Sequence, residues 1–247
     1  DYVMITLDVL EKYGVKIEYT HDETHWSFKI CGNQRYKFKL IPPEGDWSNA
    51  AFLLALGALG KAPLRIQNLP LPSKQGDAKI LDLLKAFGVT LNCYEDIVDS
   101  LSGTVDVFPC RKLTAIPNID ASEFPDLVPI ISLVASISNG TTVIYNAERL
   151  RYKESDRLAS TCHVLKALGA NITETEDKLI IVGTKALHGA YEGDGYGDHR
   201  IIMMLAASSL VTAGTVKIHE ASAASKSFPN FFEVLHKLGL DCNIELV

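Results

Sequence analysis

A recurring pattern divides this sequence into similar units: a helix with apolar residues at helical spacing, then a glycine, then alternating β-type residues. Glycine is the residue that most readily takes the left-handed conformation at the end of a helix. The glycines that close these helices are Gly14, Gly88, Gly169 and Gly239. Their spacing gives a unit of about 70 to 80 residues, so we expect repeated copies of one structural motif.

The other helix of each unit, which comes first in it, follows an aspartate and is almost wholly apolar. These segments read DWSNAAFLLALGAL, DLVPIISLVASIS and DHRIIMMLAASSL, and their aspartates are Asp46, Asp126 and Asp198. A helix that is apolar on every side is typical of a buried element. An aspartate at the N-cap accepts hydrogen bonds from free amides of the first turn, so we expect all three carboxylates to cap their helices.

The complete unit is helix, strand, helix and β-hairpin, and it occurs three times in residues 45–247. The predicted copies span about 45–117, 118–186 and 187–247. Residues 1–44 supply only the last helix and hairpin of an earlier copy, with 26–32 and 35–41 as candidate strands. The predicted fold class is α/β: three repeats of helix, strand, helix and β-hairpin, with buried helices surrounded by short sheets.

Composition and charge argue against several classes of protein. The chain has 247 residues and a net charge of −6, which does not favour binding to nucleic acid. Its most apolar stretch, Ile201–Val211, is too short to cross a bilayer. The five cysteines lack the spacing of a zinc site, so we expect reduced thiols and a cytoplasmic location. The chain begins with a helix already under way and no initiator methionine, which suggests a fragment.

Charged side chains crowd the stretch ERLRYKESDRL at 148–158. A helix there would place Lys153 and Arg157 on one face, which is a repulsive pairing unless an anion lies between them. Helix N-termini also carry unpaired amides and partial positive charge. With Arg200 and Lys226 near the helices of the third repeat, the sequence predicts a site for a small anion.

Three motifs in this order resemble the 5-enolpyruvylshikimate-3-phosphate synthase family: RYKESDRL at 151–158, GDHR at 197–200 and ASKSFPNFFEVL at 224–235. PEGDWSNAAFLLALGAL resembles the family's domain-entry segment, and IDASEFPDLVPI resembles its catalytic-aspartate loop. The resemblance covers essentially the whole chain and corresponds to the C-terminal part of the family. It implies two three-unit domains with the active site in the cleft between them. Residues 1–44 would then end the first domain, and 45–247 would form the second.

The resemblance implies an enolpyruvyl transferase of the shikimate pathway, which leads through chorismate to the aromatic amino acids. The family joins C2 of phosphoenolpyruvate to the 5-hydroxyl of shikimate 3-phosphate and releases phosphate, without a metal or a cofactor. Neither nucleic acid nor a membrane is an expected partner. Because most of the first domain is missing, we expect this chain to need that N-terminal domain and to be inactive alone.

Two carboxylates carry the chemistry that the resemblance implies. Asp126 matches the catalytic aspartate, the base for the substrate hydroxyl, which also contacts shikimate 3-phosphate. Glu154 matches the glutamate that gives a proton to the methylene carbon and takes one back. For that role we expect burial to raise the pKa of Glu154 against the pull of nearby cations. As a purely structural residue, Glu154 would form an i,i+3 ion pair with Arg157.

The other matched residues contact the substrates or support those that do. The resemblance places Lys153, Arg149 and Tyr2 at shikimate 3-phosphate, Arg157, Arg200 and Lys226 at phosphoenolpyruvate, and Asp198 and His199 in a supporting role. Arg149 departs from the family, which often has asparagine at this position. Without the motif, Lys226 would be interpreted as an ordinary surface lysine before a helix.

Two alternatives stay open. The related UDP-N-acetylglucosamine enolpyruvyl transferases share the fold and the donor, but they lack a DHR triplet at the third repeat. The chain could instead be a non-catalytic module that keeps half a site and binds phosphate or phosphoenolpyruvate without turnover. A nucleotide-binding site would rest only on GDGYGDH at 193–199, which lacks GxGxxG spacing and a Walker lysine, and this interpretation is rejected.

Overall fold

The computed structural model describes residues 2–41, 43–95 and 102–242, which form a mixed α/β fold. The helices are α1 (Tyr2–Lys12), α2 (Trp47–Leu59), α3 (Ile80–Ala86), α4 (Val128–Ser136), α5 (Arg157–Ala167), α6 (His199–Ser208) and α7 (Phe231–Lys237). The strands are β1 (Ile17–His21), β2 (Trp26–Ile30), β3 (Leu64–Leu69), β4 (Leu91–Glu95), β5 (Gly103–Val107), β6 (Asn118–Asp120), β7 (Thr141–Tyr145), β8 (Asn171–Glu174), β9 (Leu179–Val182), β10 (Tyr191–Asp194) and β11 (Val216–His219). The predicted fold class, buried helices surrounded by short sheets, is confirmed.

The sheets are small and follow one another along the chain. The first after the β1–β2 hairpin is antiparallel, with β5 between β3 and β4. The second has the order β6-β7-β9-β8, in which β6 runs parallel to β7 and the other pairs are antiparallel. Strands β10 and β11 form a parallel pair. The sequence did not predict β6 and β10, because each is only three or four residues long and lies outside any hairpin.

Helices α2, α4 and α6 pack together at the centre of the core, as predicted. Every residue of α4 and α6 is buried. Asn49 in the first turn of α2 bonds to Arg200 in the first turn of α6, and Asp126, just before α4, lies 3.7 Å from the same guanidinium. The three N-terminal ends therefore converge. Within the described residues, no helix combines the length and the apolar character that a membrane crossing requires.

The predicted glycine C-caps are confirmed. The φ angles are +83° at Gly14, +97° at Gly88, +92° at Gly169 and +86° at Gly239. This left-handed conformation is strained for residues with a Cβ atom. After the last of these glycines a strand was predicted, but residues 240–242 form none, and the remainder, 243–247, lies outside the described residues.

The N-terminal strands differ from the prediction. Strand β2 forms within the candidate segment 26–32, but it pairs with β1 in an antiparallel hairpin rather than with 35–41. Residues 35–41 form no strand, so that prediction is wrong. A strand needs a neighbouring edge for its backbone groups. Segment 35–41 does not lie along such an edge: the amide of Lys37 donates to the carbonyl oxygen of Tyr13, in the turn after α1, at 2.7 Å.

A close approach between the end of β9 and the end of α4 limits side-chain size at Gly183. A Cβ atom built there would lie 1.6 Å from the carbonyl oxygen of Ser138 and 2.9 Å from that of Ala135. Because these are backbone atoms, we expect Gly183→Ala to lower the free energy of unfolding by about 1–3 kcal/mol or more. Urea denaturation measures this loss. Gly32→Ala is the control, since nothing lies within 4 Å of its Cβ position, and equal midpoints for the two variants would contradict the close packing.

Candidate active site

The charged stretch ERLRYKESDRL does not form one helix. Glu148–Tyr152 is a 3-10 turn, Lys153 is extended, and α5 begins only at Arg157. Asp156 caps α5 by accepting a hydrogen bond from the amide of Ala159 at 3.0 Å. The prediction that a helix places Lys153 and Arg157 on one face is therefore wrong, because the capping aspartate starts a new helix between them.

Arg157 lies at the centre of a cluster of charged side chains, and it is 1% exposed. Its Nε donates to Asp198 at 2.7 Å, and its terminal nitrogens donate to Asp126 at 2.7 Å, Glu154 at 2.5 Å and Asp198 at 3.1 Å. A guanidinium has five N–H donors in a planar fork, so it can bind three acids at once. Burial opposes the charge of Arg157, but the three carboxylates outweigh burial and raise its pKa.

Asp126 does not cap α4, contrary to the prediction. It lies inside the 3-10 turn Pro125–Leu127, whose start carries no side-chain cap. Its carboxylate faces three cations instead: Lys153 at 3.1 Å, Arg157 at 2.7 Å and Arg200 at 3.7 Å. The turn brings the carboxylate into reach of these cations, which bind it more strongly than backbone amides would. Burial acts to raise the pKa of Asp126, but the cations outweigh burial and hold it below its usual value.

Glu154 bridges Arg157 and Lys226. Its Oε2 accepts from Arg157 at 2.5 Å, and its Oε1 accepts from the Lys226 ammonium at 3.0 Å. The predicted raised pKa is wrong for this arrangement. Burial does act to raise it, but a hydrogen bond from its own amide and the cations Lys226 and Arg157 lower the pKa of Glu154 to about 2. The side chain is still 26% exposed, so its burial cannot offset two cations and a hydrogen bond.

Two buried side chains at the start of α6 present nitrogen atoms without partners. Asp198 caps this helix, as predicted, by accepting from the Arg200 amide at 2.9 Å. Within the described part of the chain, Arg200 Nε and His199 Nδ1 have no hydrogen-bond partner. Burial, Arg200 and Arg157 lower the pKa of His199, so its ring is neutral at pH 7. Because an unpaired buried donor is unfavourable, an anion that accepts from Arg200 Nε would bind well here.

The residues predicted to contact shikimate 3-phosphate are only partly brought together. Lys153 joins the cluster through its ion pair with Asp126. Tyr2, the first residue of α1, is 60% exposed; burial, followed by the charges of Asp126 and Asp77, raises the pKa of its hydroxyl to about 12. Arg149 is exposed, and it makes no hydrogen bond or ion pair with residues 2–41, 43–95 or 102–242.

Three polar residues that the sequence prediction missed also lie in or beside the cluster. Asn49 bonds to the guanidinium of Arg200 at 3.2 Å, and Ser155 donates to the carboxylate of Asp198 at 3.0 Å. Burial raises the pKa of Asp77, which is 5% exposed. Only Asn49 had a signal in the sequence, since it is an amide in the first turn of an almost wholly apolar helix.

The cluster is suited to anions and to proton transfer. Its cations are Lys153, Arg157, Arg200 and Lys226, and the carboxylates between them are Asp126 and Glu154. Cations at converging helix N-termini favour phosphate and carboxylate groups, and placed carboxylates can take or give a proton. Across the described ranges, no three His, Cys, Asp or Glu side chains converge in a way that could hold a metal ion.

The lowered pKa of Glu154 predicts a defined effect of pH on stability. Its pKa falls from an ordinary 4.5 to about 2 on folding, so ionised Glu154 stabilises the folded chain. This contribution is complete above pH 4.5 and is lost as the pH falls through about 2. We therefore expect the difference in free energy of unfolding between wild type and Glu154→Gln to be constant above pH 4.5 and to shrink below it. Urea denaturation across this range measures it, and a difference that grows on acidification would contradict the assignment.

Comparison with known proteins now gives the family. The family model for EPSP synthase (3-phosphoshikimate 1-carboxyvinyltransferase) matches residues 1–235. A 3-phosphoshikimate 1-carboxyvinyltransferase from Methanococcoides burtonii is 41% identical over 97% of this chain and 53% of its own length. A protein of the same name from Clostridium acetobutylicum is 41% identical over 97% of this chain and 52% of its own length. The chain thus spans about half the length of the curated relatives it matches.

Solved structures show the same fold. An EPSP synthase from Acinetobacter baumannii has a TM-score of 0.80 and 23% identity, covering 100% of this chain and 56% of that one. An enolpyruvyl transferase from Streptomyces tendae has a TM-score of 0.72 and 22% identity, covering 97% of this chain and 53% of that one. Identities this low support the fold alone. Because the family model matches residues 1–235 of the 247, this chain belongs to the EPSP synthase family.

Proposed function

We propose that this chain provides the C-terminal half of an enolpyruvyl transferase. The complete site transfers the enolpyruvyl group of phosphoenolpyruvate to the 5-hydroxyl of shikimate 3-phosphate and releases phosphate. The observation that carries the proposal is the convergence of four cations on two carboxylates at the ends of buried helices. Membership of the EPSP synthase family supports the choice of substrates. The family's biosynthetic role and five free thiols support a cytoplasmic location.

The two carboxylates pair with the cations that we assign to the substrate anions. Asp126 and Glu154 each pair with at least two cations of the cluster. Phosphoenolpyruvate carries both a carboxylate and a phosphate, so it can replace these acids on the cations, and the free Nε of Arg200 gives it a further donor. Arg157, Arg200 and Lys226 bind phosphoenolpyruvate, and Lys153, Asp126 and Tyr2 bind shikimate 3-phosphate. Arg149 stays a prediction for that second substrate.

Substrate binding gives the two carboxylates their catalytic roles. Asp126 takes the proton of the 5-hydroxyl as the hydroxyl oxygen bonds to C2 of phosphoenolpyruvate, and Glu154 gives a proton to the methylene carbon. Glu154 must be protonated for this step, whereas Arg157 and Lys226 now hold its pKa at about 2. When the substrate anion draws these cations away, the pKa of Glu154 rises. Glu154 then removes a proton from the new methyl group while phosphate leaves, which forms the enolpyruvyl double bond.

A second structural observation supports a missing partner domain. Large apolar side chains are exposed between residues 17 and 41. They are Tyr19, Trp26, Phe28, Ile30, Tyr36, Phe38 and Leu40. An apolar surface of this kind is typical of an interface. We assign 1–44 to the end of a first domain and 45–247 to the second, and the remainder of the first domain covers this surface and completes the cleft.

A non-catalytic half-site is the second candidate for the chain by itself. The chain spans about half the length of its relatives, and the four cations of the cluster come from this half alone. Such a half-site binds phosphate or phosphoenolpyruvate but cannot position both substrates for reaction.

Phosphate release from phosphoenolpyruvate and shikimate 3-phosphate distinguishes these candidates. The chain is assayed alone and then mixed with the part of the Methanococcoides burtonii relative that it does not cover, and this mixture is called the reconstituted enzyme. We expect no turnover by the chain alone, and turnover by the reconstituted enzyme only with both substrates. Turnover by the chain alone would contradict a two-part site. If the mixture released no phosphate although both parts were folded and bound to each other, the non-catalytic half-site would be favoured.

A further inference from the structure

Asn49 contacts both parts of the third repeat that carry cations. Its side-chain oxygen accepts hydrogen bonds from Arg200 and from the Ser227 hydroxyl, each at 3.2 Å. Its side-chain nitrogen donates to the Ser227 carbonyl oxygen at 2.8 Å. Only this orientation of the amide is favourable, because the reverse would point its N–H donors at a guanidinium. The amide therefore joins α2 to α6 and to the turn after β11.

That turn carries Lys226. Ala221–Lys226 is a 3-10 turn, and Ser227 follows it directly as the C-cap. The amides of Ser227 and Phe228 both donate to the carbonyl oxygen of Ala224, at 3.3 Å and 3.1 Å, so the end of the turn is compact. Because Asn49 binds both the hydroxyl and the carbonyl of Ser227, it fixes the position from which the Lys226 ammonium reaches the cluster.

The same face of α2 also fixes Arg200. Phe52 lies one helical turn after Asn49 and is fully buried, and the guanidinium carbon of Arg200 is 5.7 Å from the centre of its ring. Among the described residues, the carboxylate that pairs with this guanidinium is that of Asp126, which at 3.7 Å is farther away than the Asn49 oxygen at 3.2 Å. The first repeat thus orients an arginine of the third.

We propose that Asn49 is a positioning residue that sets the separation of Arg200 and Lys226, so that both cations meet one phosphoenolpyruvate molecule together. This inference rests on the proposed function. Cations that are held in place before binding lose less conformational freedom when the ligand arrives, which strengthens binding. We expect the main effect on phosphoenolpyruvate. Within the described residues, none of the side chains assigned to shikimate 3-phosphate (Lys153, Asp126 and Tyr2) shares a hydrogen bond with Asn49, and Asp126 lies 3.7 Å from the Arg200 guanidinium.

Steady-state kinetics of the reconstituted enzyme test the proposal with three variants of this chain. We expect Asn49→Ala to raise KM for phosphoenolpyruvate about tenfold or more, while kcat and KM for shikimate 3-phosphate change by less than about threefold. Asn49→Ser keeps one donor and one acceptor and should lie between Asn49→Ala and wild type. Asn171→Ala, at an exposed strand position, is the control and should leave all constants unchanged. An unchanged KM for phosphoenolpyruvate in Asn49→Ala, or an equal effect on both substrates, would overturn the proposal.

Hydrogen exchange in the unmixed chain gives a second measurement that does not depend on turnover. The amides of Ser227 and Phe228 should exchange faster in Asn49→Ala than in wild type or Asn171→Ala, because the turn has lost its attachment to α2. If the reconstituted wild-type enzyme released no phosphate, that would count against the proposed function, and the exchange rates would then decide the role of Asn49. Equal rates in Asn49→Ala and wild type would overturn it.

Discussion

Glu154→Gln is expected to lower kcat of the reconstituted enzyme by about 10²–10⁴-fold. Glutamine keeps the shape of the side chain and can still accept hydrogen bonds from Lys226 and Arg157. It cannot give a proton to the methylene carbon or remove one from the methyl group. KM for phosphoenolpyruvate should therefore change much less than kcat, and single-turnover measurement of phosphate release separates the two effects.

Glu148→Gln is the matched control for this loss. Glu148 starts the 3-10 turn that precedes Lys153, and its side chain is exposed. The same change of charge there should leave kcat unchanged, which shows that lost negative charge alone does not explain the effect. A Glu154→Gln enzyme with kcat within about threefold of wild type would contradict proton transfer by Glu154.

Arg157→Met is expected to destabilise the chain by about 3–5 kcal/mol at neutral pH. Methionine fills much of the space of the arginine stem, but it leaves Asp126, Glu154 and Asp198 beside one another without their shared cation. The Asp198 side chain is 0% exposed, so water cannot take the place of the guanidinium. Urea denaturation at pH 7 measures the loss.

The dependence of this loss on pH tests its cause. Against the effect of burial, Arg157 and the neighbouring cations hold the pKa of Asp126 and the pKa of Glu154 below their usual values, and for Asp126 the largest of these effects comes from Arg157. Both pKa values should therefore rise in Arg157→Met. Protonated acids do not need the cation, so the deficit in stability should shrink as the pH falls below 4.5. Arg149→Met, an exposed arginine four residues before Lys153, should stay within about 0.5 kcal/mol of wild type. A fully stable Arg157→Met would contradict the shared-cation arrangement.

Local patterns predicted the helices and the ends of the repeats, because burial and helix termination act over a few residues. The apolar run after Asp46 gives α2, and Gly88 ends α3 one residue after its C-cap position, with a left-handed φ. Strand pairing depends on residues far apart in the chain, so it was predicted less well. Residues 35–41 have the composition of a strand but no partner edge, and the short β6 is a strand only because it pairs with β7.

For the candidate site too, local motifs were predicted better than contacts between distant parts of the chain. The family motifs pointed to Arg157 and Asp126, and the structure places both in one cluster. Their partners depend on the fold. Asp126 pairs with three cations instead of capping a helix. Glu154 has a low pKa in part because it pairs with Lys226, which lies 72 residues away in the sequence. Asn49 could not be assigned a role from the sequence, since its contacts cross from the first repeat to the third. Arg149 lies at the motif position and is exposed, and its role at shikimate 3-phosphate stays a prediction.

Calorimetric titration of phosphoenolpyruvate into this chain tests the central claim, that the cluster is an anion site, most directly. Lys226→Met is the informative variant, since its side chain is 55% exposed and its removal should leave the fold intact, and Lys185→Met is an exposed lysine control. We predict saturable binding by wild type and by Lys185→Met, weakened at least about tenfold in Lys226→Met and reduced by added salt. No saturable binding by wild type, or equal binding by all three, would contradict an anion site at this cluster.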